Sequence, residues 1–423
     1  MAPAPPVGWG FFPLDEELGL LAGNLPPHQQ KSLVRLCVQM PFAQASEQLT
    51  SITGVQVSEA TARRQTLAVG EAYETVQTAQ AQPVKGKKRG RCRCRGCQLP
   101  RESRGPKKTT ARLVISSDGA FVPLVGGVWE EVKTLVIGEV EPGQEQEQEV
   151  HTTKLSYFSR LSDAQTFGEL ASVETERREV VQAHEVAAVQ DGAVWLQGMV
   201  DLHRPDAVRI LDFAHAAEYV SEIEQLLRSA GAELPADWLR EQLHQLKHQG
   251  PTAVLKALRT LQRAHPEVEK VAEKLAYLQK REAHMQYPVY QQQGWPLGSG
   301  IVESGNKVVM QARMKGAGMH WAPAHVNPML ALRTAERNRR WDEAWQQSAD
   351  HRQAQRMQRR IDRQEQRSRQ VLRSVQSLGL VWRLRSRKPK PLKPVLASSA
   401  SPPPAPVRPA DGHPWRRPFL AKK

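Results

Sequence analysis

Apolar positions change their period several times along this chain, and each change marks an element. Leu33, Leu36, Cys37 and Met40 recur at three- and four-residue steps and predict a helix. Phe42 to Leu49 reads as a second helix, Thr53-Gly54-Val55-Gln56-Val57 as a turn, and Ser58 as the cap of a third helix. From Thr110 the period shortens. Arg112–Ile115, Val128–Val140 and Lys154–Phe158 read as strands, Asp163–Val181 as a helix, and Val186–Val189 and Val208–Leu211 as two short buried strands. After His215 the helical period returns. Stripes occur at Val220, Ile223, Leu226 and Leu227, then at Trp238, Leu239, Leu243 and Leu246. Two more follow, at Val254, Leu255, Leu258 and Leu261, and at Val268, Val271, Leu275 and Leu278. Pro235, Gly250-Pro251 and Pro266 separate the four. Helices are also expected over Ile301–Met314 and His325–Trp345. An Arg/Gln-rich helix beyond Arg352 runs into a Ser/Pro-rich tail.

Three strands, a helix and two more strands predict an α/β, ribonuclease-H-like domain with a mixed sheet, into which an all-helical insertion is placed. The expected organisation is a flexible N-terminus (1–25), a helical, helix-turn-helix-like DNA-binding domain (26–80) and a basic, Cys-containing linker (81–109). The catalytic domain would follow in two parts (110–216 and 291–350) around the insertion (217–290), before a basic, partly disordered C-terminal tail (351–423).

Charge sharpens the picture. The net +15 is concentrated in two places: residues 351–423 hold 19 Lys/Arg against three acids, and residues 85–108 hold 11 against Glu102, leaving the rest at −11. Two basic segments on an acidic body imply a polyanionic partner, since each neutralised phosphate releases counterions. A basic segment that serves solubility alone is the simpler alternative. No apolar run long enough to span a bilayer occurs, and the first residues lack the layout of a signal peptide. Cys92, Cys94 and Cys97 have a spacing that could begin a zinc site, but no fourth ligand lies nearby, so a linker with reduced thiols is expected. The four cysteines make no disulfide framework, which points to a reducing cytoplasm.

The candidate chemistry lies in three acidic residues. Asp118 ends the run Leu113-Val114-Ile115 in Ser-Ser-Asp-Gly-Ala, and Asp191 ends Val186 to Val189 in Gln-Asp-Gly-Ala-Val-Trp. Glu303 follows a Gly/Ser loop in Gly-Ser-Gly-Ile-Val-Glu-Ser-Gly-Asn. Taken alone, an Asp-Gly is a turn. Two carboxylates at the ends of central strands and a third on a later helix can instead converge on one sheet edge. There they could hold two hard divalent cations, Mg²⁺ or Mn²⁺, for in-line phosphoryl transfer. Asp212, in Leu-Asp-Phe-Ala-His, also ends a strand and competes with Asp191 for the second ligand position, although Asp191 repeats the Asp118 context. On the third N-terminal helix, Thr61, Arg63, Arg64 and Gln65 would face DNA if the helix-turn-helix reading holds; an ordinary helical hairpin is the alternative. Trp129, Trp195, Trp295 and Trp321 read as core residues, with Trp295 or Trp321 able to stack on an unpaired base. No nucleophile elbow and no phosphate-binding Gly-Lys-Ser/Thr loop occurs.

With these motifs in order, the chain resembles prokaryotic insertion-sequence DDE transposases, with a layout similar to the Kra-type family and the Mutator superfamily. Four elements carry the resemblance: the Asp118 and Asp191 contexts, the Asp-x-x-His pair of Asp212 and His215, and Glu303-Ser304-Gly305-Asn306. It covers roughly Thr110 to Trp345, and more weakly the N-terminal helices. It implies Mg²⁺-dependent cleavage and strand transfer at element ends, with Asp118, Asp191 and Glu303 as catalytic metal ligands and Asp212 and His215 as auxiliary residues. Double-stranded DNA would be the partner, the chain would form a homo-oligomer on it, and the location would be the nucleoid in the cytoplasm. Some relatives place a Lys or Arg seven residues after the Glu, where this chain has Met310, so contact with DNA would shift to Lys307, Arg313 or Lys315. A non-transposing nuclease of the same fold and a non-catalytic DNA-binding regulator are the rival functions.

Overall fold

The computed structural model describes residues 25–81, 111–141 and 150–385, with side chains to residue 374. Cys92, Cys94 and Cys97, most of the acidic loop and the end of the basic tail lie outside the described residues. The chain divides into two units, residues Met1–Met357 and Gln358–Lys423. In the second, the described residues are the later turns of the helix Trp341–Arg385, whose Ile361, Val371 and Leu372 are exposed.

At the centre of the first unit is a five-stranded mixed sheet of order β3-β2-β1-β4-β5, formed by β1 (Arg112–Pro123), β2 (Trp129–Val140), β3 (Thr152–Leu161), β4 (Glu185–Gln190) and β5 (Val208–Leu211). Strands β1, β2 and β3 pair antiparallel, while β4 runs parallel to β1 and β5 parallel to β4. Alternation assigns the faces. Leu113, Ile115, Leu135 and Ile137 meet Phe167 and Ala171 of α4 (Ala164–Arg177) and Met199 and Val200 of α5 (Val194–His203). Val114, Ala187 and Val189 meet the helical insertion on the opposite face. Asp163 starts α4 as its cap, accepting from the Thr166 N–H at 2.9 Å.

Several predicted boundaries move; the helix expected over His325–Trp345 ends at Arg337, and Trp341 begins the long helix that runs to Arg385. The first strand continues through Asp118 to Pro123 because its second half pairs with β2 down to Pro123↔Trp129. Asp118 therefore stands within β1, opposite Thr134. Helix α4 stops at Arg177, and the turn beyond it holds Glu179 at φ 52°.

The N-terminal residues form α1 (Pro27–Gln39), α2 (Phe42–Thr53) and α3 (Glu59–Ala81), with a turn at Gly54 and the Ser58 hydroxyl accepting from the Thr61 N–H at 3.2 Å. Val34, Val38 and Val69 of these helices share a core with Val122 and Val132 of the sheet and with Met329 and Leu330 of α13 (Pro323–Arg337). The insertion consists of α6 (Phe213–Ser229), α7 (Trp238–Gln249), α8 (Pro251–Ala264), α9 (Glu269–Lys280) and α10 (Tyr287–Gln292). Its four stripes meet in one cluster with Ile210 and Leu211 of β5.

The free edge of β3 is covered by side chains rather than by another strand. Asn338 accepts from Tyr157 N at 2.8 Å and donates to Tyr157 O at 2.9 Å. Asn327 accepts from Leu161 N at 2.7 Å and donates to Leu161 O at 3.1 Å. Each side-chain amide stands in for a neighbouring peptide, so the edge cannot template another chain at these positions.

The helix that carries Glu303 has three parts: α11 (Gly300–Asn306), a π-helical segment (Lys307–Gln311) and α12 (Ala312–Met314). A π segment frees backbone carbonyls. Arg333, 1% exposed on α13, satisfies them: its guanidinium donates to Val309 O at 2.7 Å and to Val308 O, and also to Val38 O at 2.9 Å. Burial pushes this guanidinium down to about 10, so it stays charged at neutral pH. One buried arginine thus joins the Glu303 helix to the end of α1.

Candidate functional site: an acidic sheet edge

The β1–β4 pairing brings two of the acids to the same end of the sheet. Its register runs from Arg112↔Glu185 to Ile115↔Ala188. Three residues beyond the last pair lie Asp118, within β1, and Asp191, just past the end of β4; Ser116, between the last pair and Asp118, donates its hydroxyl to Val189 O at 2.6 Å. Parallel pairing has ended by then, so no strand pairs with that edge of β1 at Asp118.

Neighbouring backbone holds each carboxylate. Asp118 accepts from the Gly119 N–H at 2.7 Å and from the Asn306 side-chain amide at 3.0 Å. Asp191 accepts from the Ala193 N–H at 2.8 Å, a contact that closes the turn into α5. Glu303 is exposed on α11. Gly305 allows α11 to approach the sheet: a Cβ there would lie 2.6 Å from Val136 Cγ2. Burial, and then the charges of Asp191, Glu131 and Glu303, push the Asp118 carboxyl above the usual carboxylate range against the opposing Gly119 hydrogen bond.

The three acids do not close on one point. Among the described residues, no group of three His, Cys, Asp or Glu side chains stands together to hold a metal ion. In their chemistry, the donors still suit a hard cation. All are carboxylate oxygens, and the amide oxygen of the buried Asn306 has no hydrogen-bond partner among the described residues. Asp118 and Asp191 would contribute from the sheet, and Glu303 from the helix facing it.

Asp212 is employed elsewhere. It is 4% exposed; one oxygen accepts from the Ala214 N–H at 2.7 Å, and the other from the Ser299 N–H at 3.0 Å and the Ser299 hydroxyl. Asp212 therefore caps α6 and anchors the Gly-Ser-Gly loop that opens the Glu303 helix. Both of its carboxylate oxygens are thus engaged in holding the fold. His215, one turn along α6, packs edge-on against Tyr219 and Tyr277.

The insertion reaches the site through α9. Tyr277 donates its hydroxyl to Asp191 O, and burial pushes that phenol up to about 12, so it remains a donor. Arg281 lies 3.5 Å over the Tyr277 ring and donates to Gly192 O at 2.7 Å. Gly192 has φ 80°, and a Cβ there would come within 2.6 Å of Arg281 Nε. Tyr277 and Arg281 thus clamp the Asp191-Gly192 turn from a helix more than eighty residues away in the chain. Neither had a local signal in the sequence, whereas Asn306 lay inside the Glu-Ser-Gly-Asn motif.

The expected DNA-facing residues separate into two groups. Arg63, Arg64, Lys307 and Lys315 are exposed, with Lys315 5.5 Å over the exposed Trp129 ring. Arg313 must be corrected: it is 2% exposed, donates to Cys37 O at 2.9 Å, and lies over the Phe42 and Trp321 rings. Gln65 is buried as well, so it cannot read DNA. Trp295 and Trp321 are core residues with no face for a base, and Trp129, expected in the core, is exposed on the β1–β2 hairpin. No protein-family model and no curated protein matches the chain.

Proposed function

We propose that the chain is a DNA-cleaving and strand-transferring enzyme of the DDE transposase kind, acting through Asp118, Asp191 and Glu303 with Mg²⁺ or Mn²⁺. The observation that carries this reading is the position of Asp118 and Asp191, each three residues beyond the last β1–β4 pair, with the charges of Asp191 and Glu303 acting on the Asp118 carboxyl. Strand order β3-β2-β1-β4-β5, with the helical insertion between β5 and the Glu303 helix, supports a ribonuclease-H-like frame. Asp118 and Asp191 lie on rigid strand and turn positions, while the exposed Glu303 side chain would close the set from α11. A bound divalent cation would supply positive charge at the scissile phosphate and lower the pKa of the attacking water. Asn306 holds one oxygen of Asp118, Tyr277 and Arg281 hold the Asp191 turn, and Asp212 sets the start of α11. Water and then a freed 3′-hydroxyl would attack phosphorus in line, each displacing the opposite oxygen. The exposed Arg63 and Arg64 would bind element ends, and Lys307 and Lys315 the DNA near the site. The protein would act as a homo-oligomer on double-stranded DNA, in the cytoplasm and associated with the nucleoid. Among the described residues, no helix is long and apolar enough to cross a membrane.

The test is cleavage of duplexes carrying the DNA that flanks the reading frame, with Mg²⁺ present. Nicking and joining by the wild type, lost in Asp118→Asn, is the expected result. Binding without cleavage under any divalent cation would replace the enzyme by a regulator.

A further inference from the structure

Beside the Glu303 helix, on the side of its π segment, α1, β3 and the α13–α14 turn enclose a cleft of about 500 Å³, α14 being the helix Trp341–Arg385. Val308 of the π segment, Tyr157 of the edge strand and Trp341 form part of its wall. Arg35, Arg337 and Arg339 also line it.

The charges in this cleft are unevenly matched. Its two acids are both taken: Glu336 by Arg35 at 3.1 Å, and Asp342 by Lys31 at 2.6 Å. Arg337 makes one long contact to Gln39 at 3.4 Å, and Arg339 forms no ion pair among the described residues. Both are exposed. Arg339 also sits at φ 57°, a left-handed conformation unusual for a side chain of its size, in the turn whose Asn338 is bonded to Tyr157. The wall adds one further donor. Burial holds the Tyr157 hydroxyl above its ordinary range, against the opposing effect of Arg337, so it stays protonated. A site with donors and surplus cations, but no free acid, is suited to an anion with several acceptor oxygens.

We infer that this cleft is a phosphodiester-binding site, in which Arg337 and Arg339 hold the backbone of a nucleic-acid strand beside the Glu303 helix. The inference rests on the proposed function, because it takes the strand to be the substrate's own. Phosphate contacts position a duplex without reading its sequence, so this site would set the strand's register relative to Glu303 and leave end recognition to other residues.

The test measures binding of the full chain to a 20-base-pair duplex of arbitrary sequence by fluorescence anisotropy, across a salt series. Arg337→Gln removes one charge, and Arg339→Asn removes the other with a residue that tolerates the left-handed backbone. Each should make the slope of log K against log salt shallower by about 0.9, the value for one lost phosphate contact. Arg240→Gln, at an exposed ion pair on α7, should leave the slope unchanged. Unchanged slopes for both cleft variants, with circular dichroism like the wild type, would overturn the inference, and a wild type that binds no duplex would overturn it too. The two readings fail separately. A chain that cleaves DNA with unaltered cleft slopes loses only the cleft, and a chain with altered slopes but no cleavage under any divalent cation loses only the enzyme.

Discussion

Asp212 and Ser299 are joined by two hydrogen bonds: a single carboxylate oxygen accepts both the backbone N–H, at 3.0 Å, and the hydroxyl of Ser299. The link spans 87 positions and ties the end of β5 to the loop that opens the Glu303 helix. Removing the buried acceptor should leave the Ser299 donors and the α6 N-terminus unsatisfied. Asp212→Ala is therefore expected to lower unfolding free energy by about 2–4 kcal/mol, read by urea titration. Ser299→Ala, which keeps the backbone donor, should cost about 1 kcal/mol. Equal stability of Asp212→Ala and wild type would show that the loop is held by other contacts.

Asp118→Asn, Asp191→Asn and Glu303→Gln should each abolish Mg²⁺-dependent cleavage while preserving the circular dichroism spectrum and duplex affinity, since shape is kept and one charge removed. Asp212→Asn should lower cleavage less than Asp191→Asn. Survival of cleavage in Asp191→Asn, together with its loss in Asp212→Asn, would return the ligand role to Asp212.

The raised Asp118 carboxyl has a pH signature. Its folded-state pKa lies above the unfolded value, chiefly from burial and then from Asp191, Glu131 and Glu303. Its contribution to stability is fully present below the unfolded value and is lost as pH rises through the folded one. Asn at this position does not titrate. Without divalent cation, Asp118→Asn should therefore melt above the wild type at pH 7, and the gap should narrow as pH falls through the Asp118 titration. A gap that widened on acidification would contradict this environment. Thermal melts at several pH values decide it.

Gly305→Ala places a methyl within 2.6 Å of a γ-carbon of Val136, which is fully buried and has nowhere to move. The expected cost is about 1–3 kcal/mol from overpacking, with cleavage reduced further as α11 lifts from the sheet. Gly305→Ala combined with Val136→Ala should recover part of both losses. No recovery in the double variant would mean that α11 does not lean on β2 at this point.

Arg333→Met should destabilise the fold by about 3 kcal/mol or more, because it leaves the buried Val309 and Val38 carbonyls, and the part-buried Val308 carbonyl, without their donor. Hydrogen exchange should then quicken at the π segment and at the end of α1 together. Faster exchange in only one of the two would show that Arg333 does not couple them.

Periodicity alone placed most of the elements in order, although it missed the short helices α5 and α10 and ran α13 into α14. Strands β4 and β5, the four stripes of the insertion and the turn at Gly54 follow from apolar spacing and from Gly and Pro, which act locally. The contexts of Asp118, Asp191 and Glu303 were legible for the same reason, since strand-turn and loop-helix junctions are written in neighbouring residues. Tertiary structure decided what those junctions meet. Strand β1 runs past Asp118 because β2 pairs with it to Pro123, a partnership that no window around Asp118 contains. Arg313 and Arg333 look like surface cations in sequence, but they are buried, because backbone carbonyls from α1, and for Arg333 also from the π segment, converge on them from distant parts of the chain. Asp212 and Asp191 both end strands, and only the arrival of Ser299 at one and of Tyr277 and Arg281 beside the other separates an anchor from a candidate ligand. A charged side chain's role depends on which donors or acceptors meet it after folding, and those partners come from the whole chain.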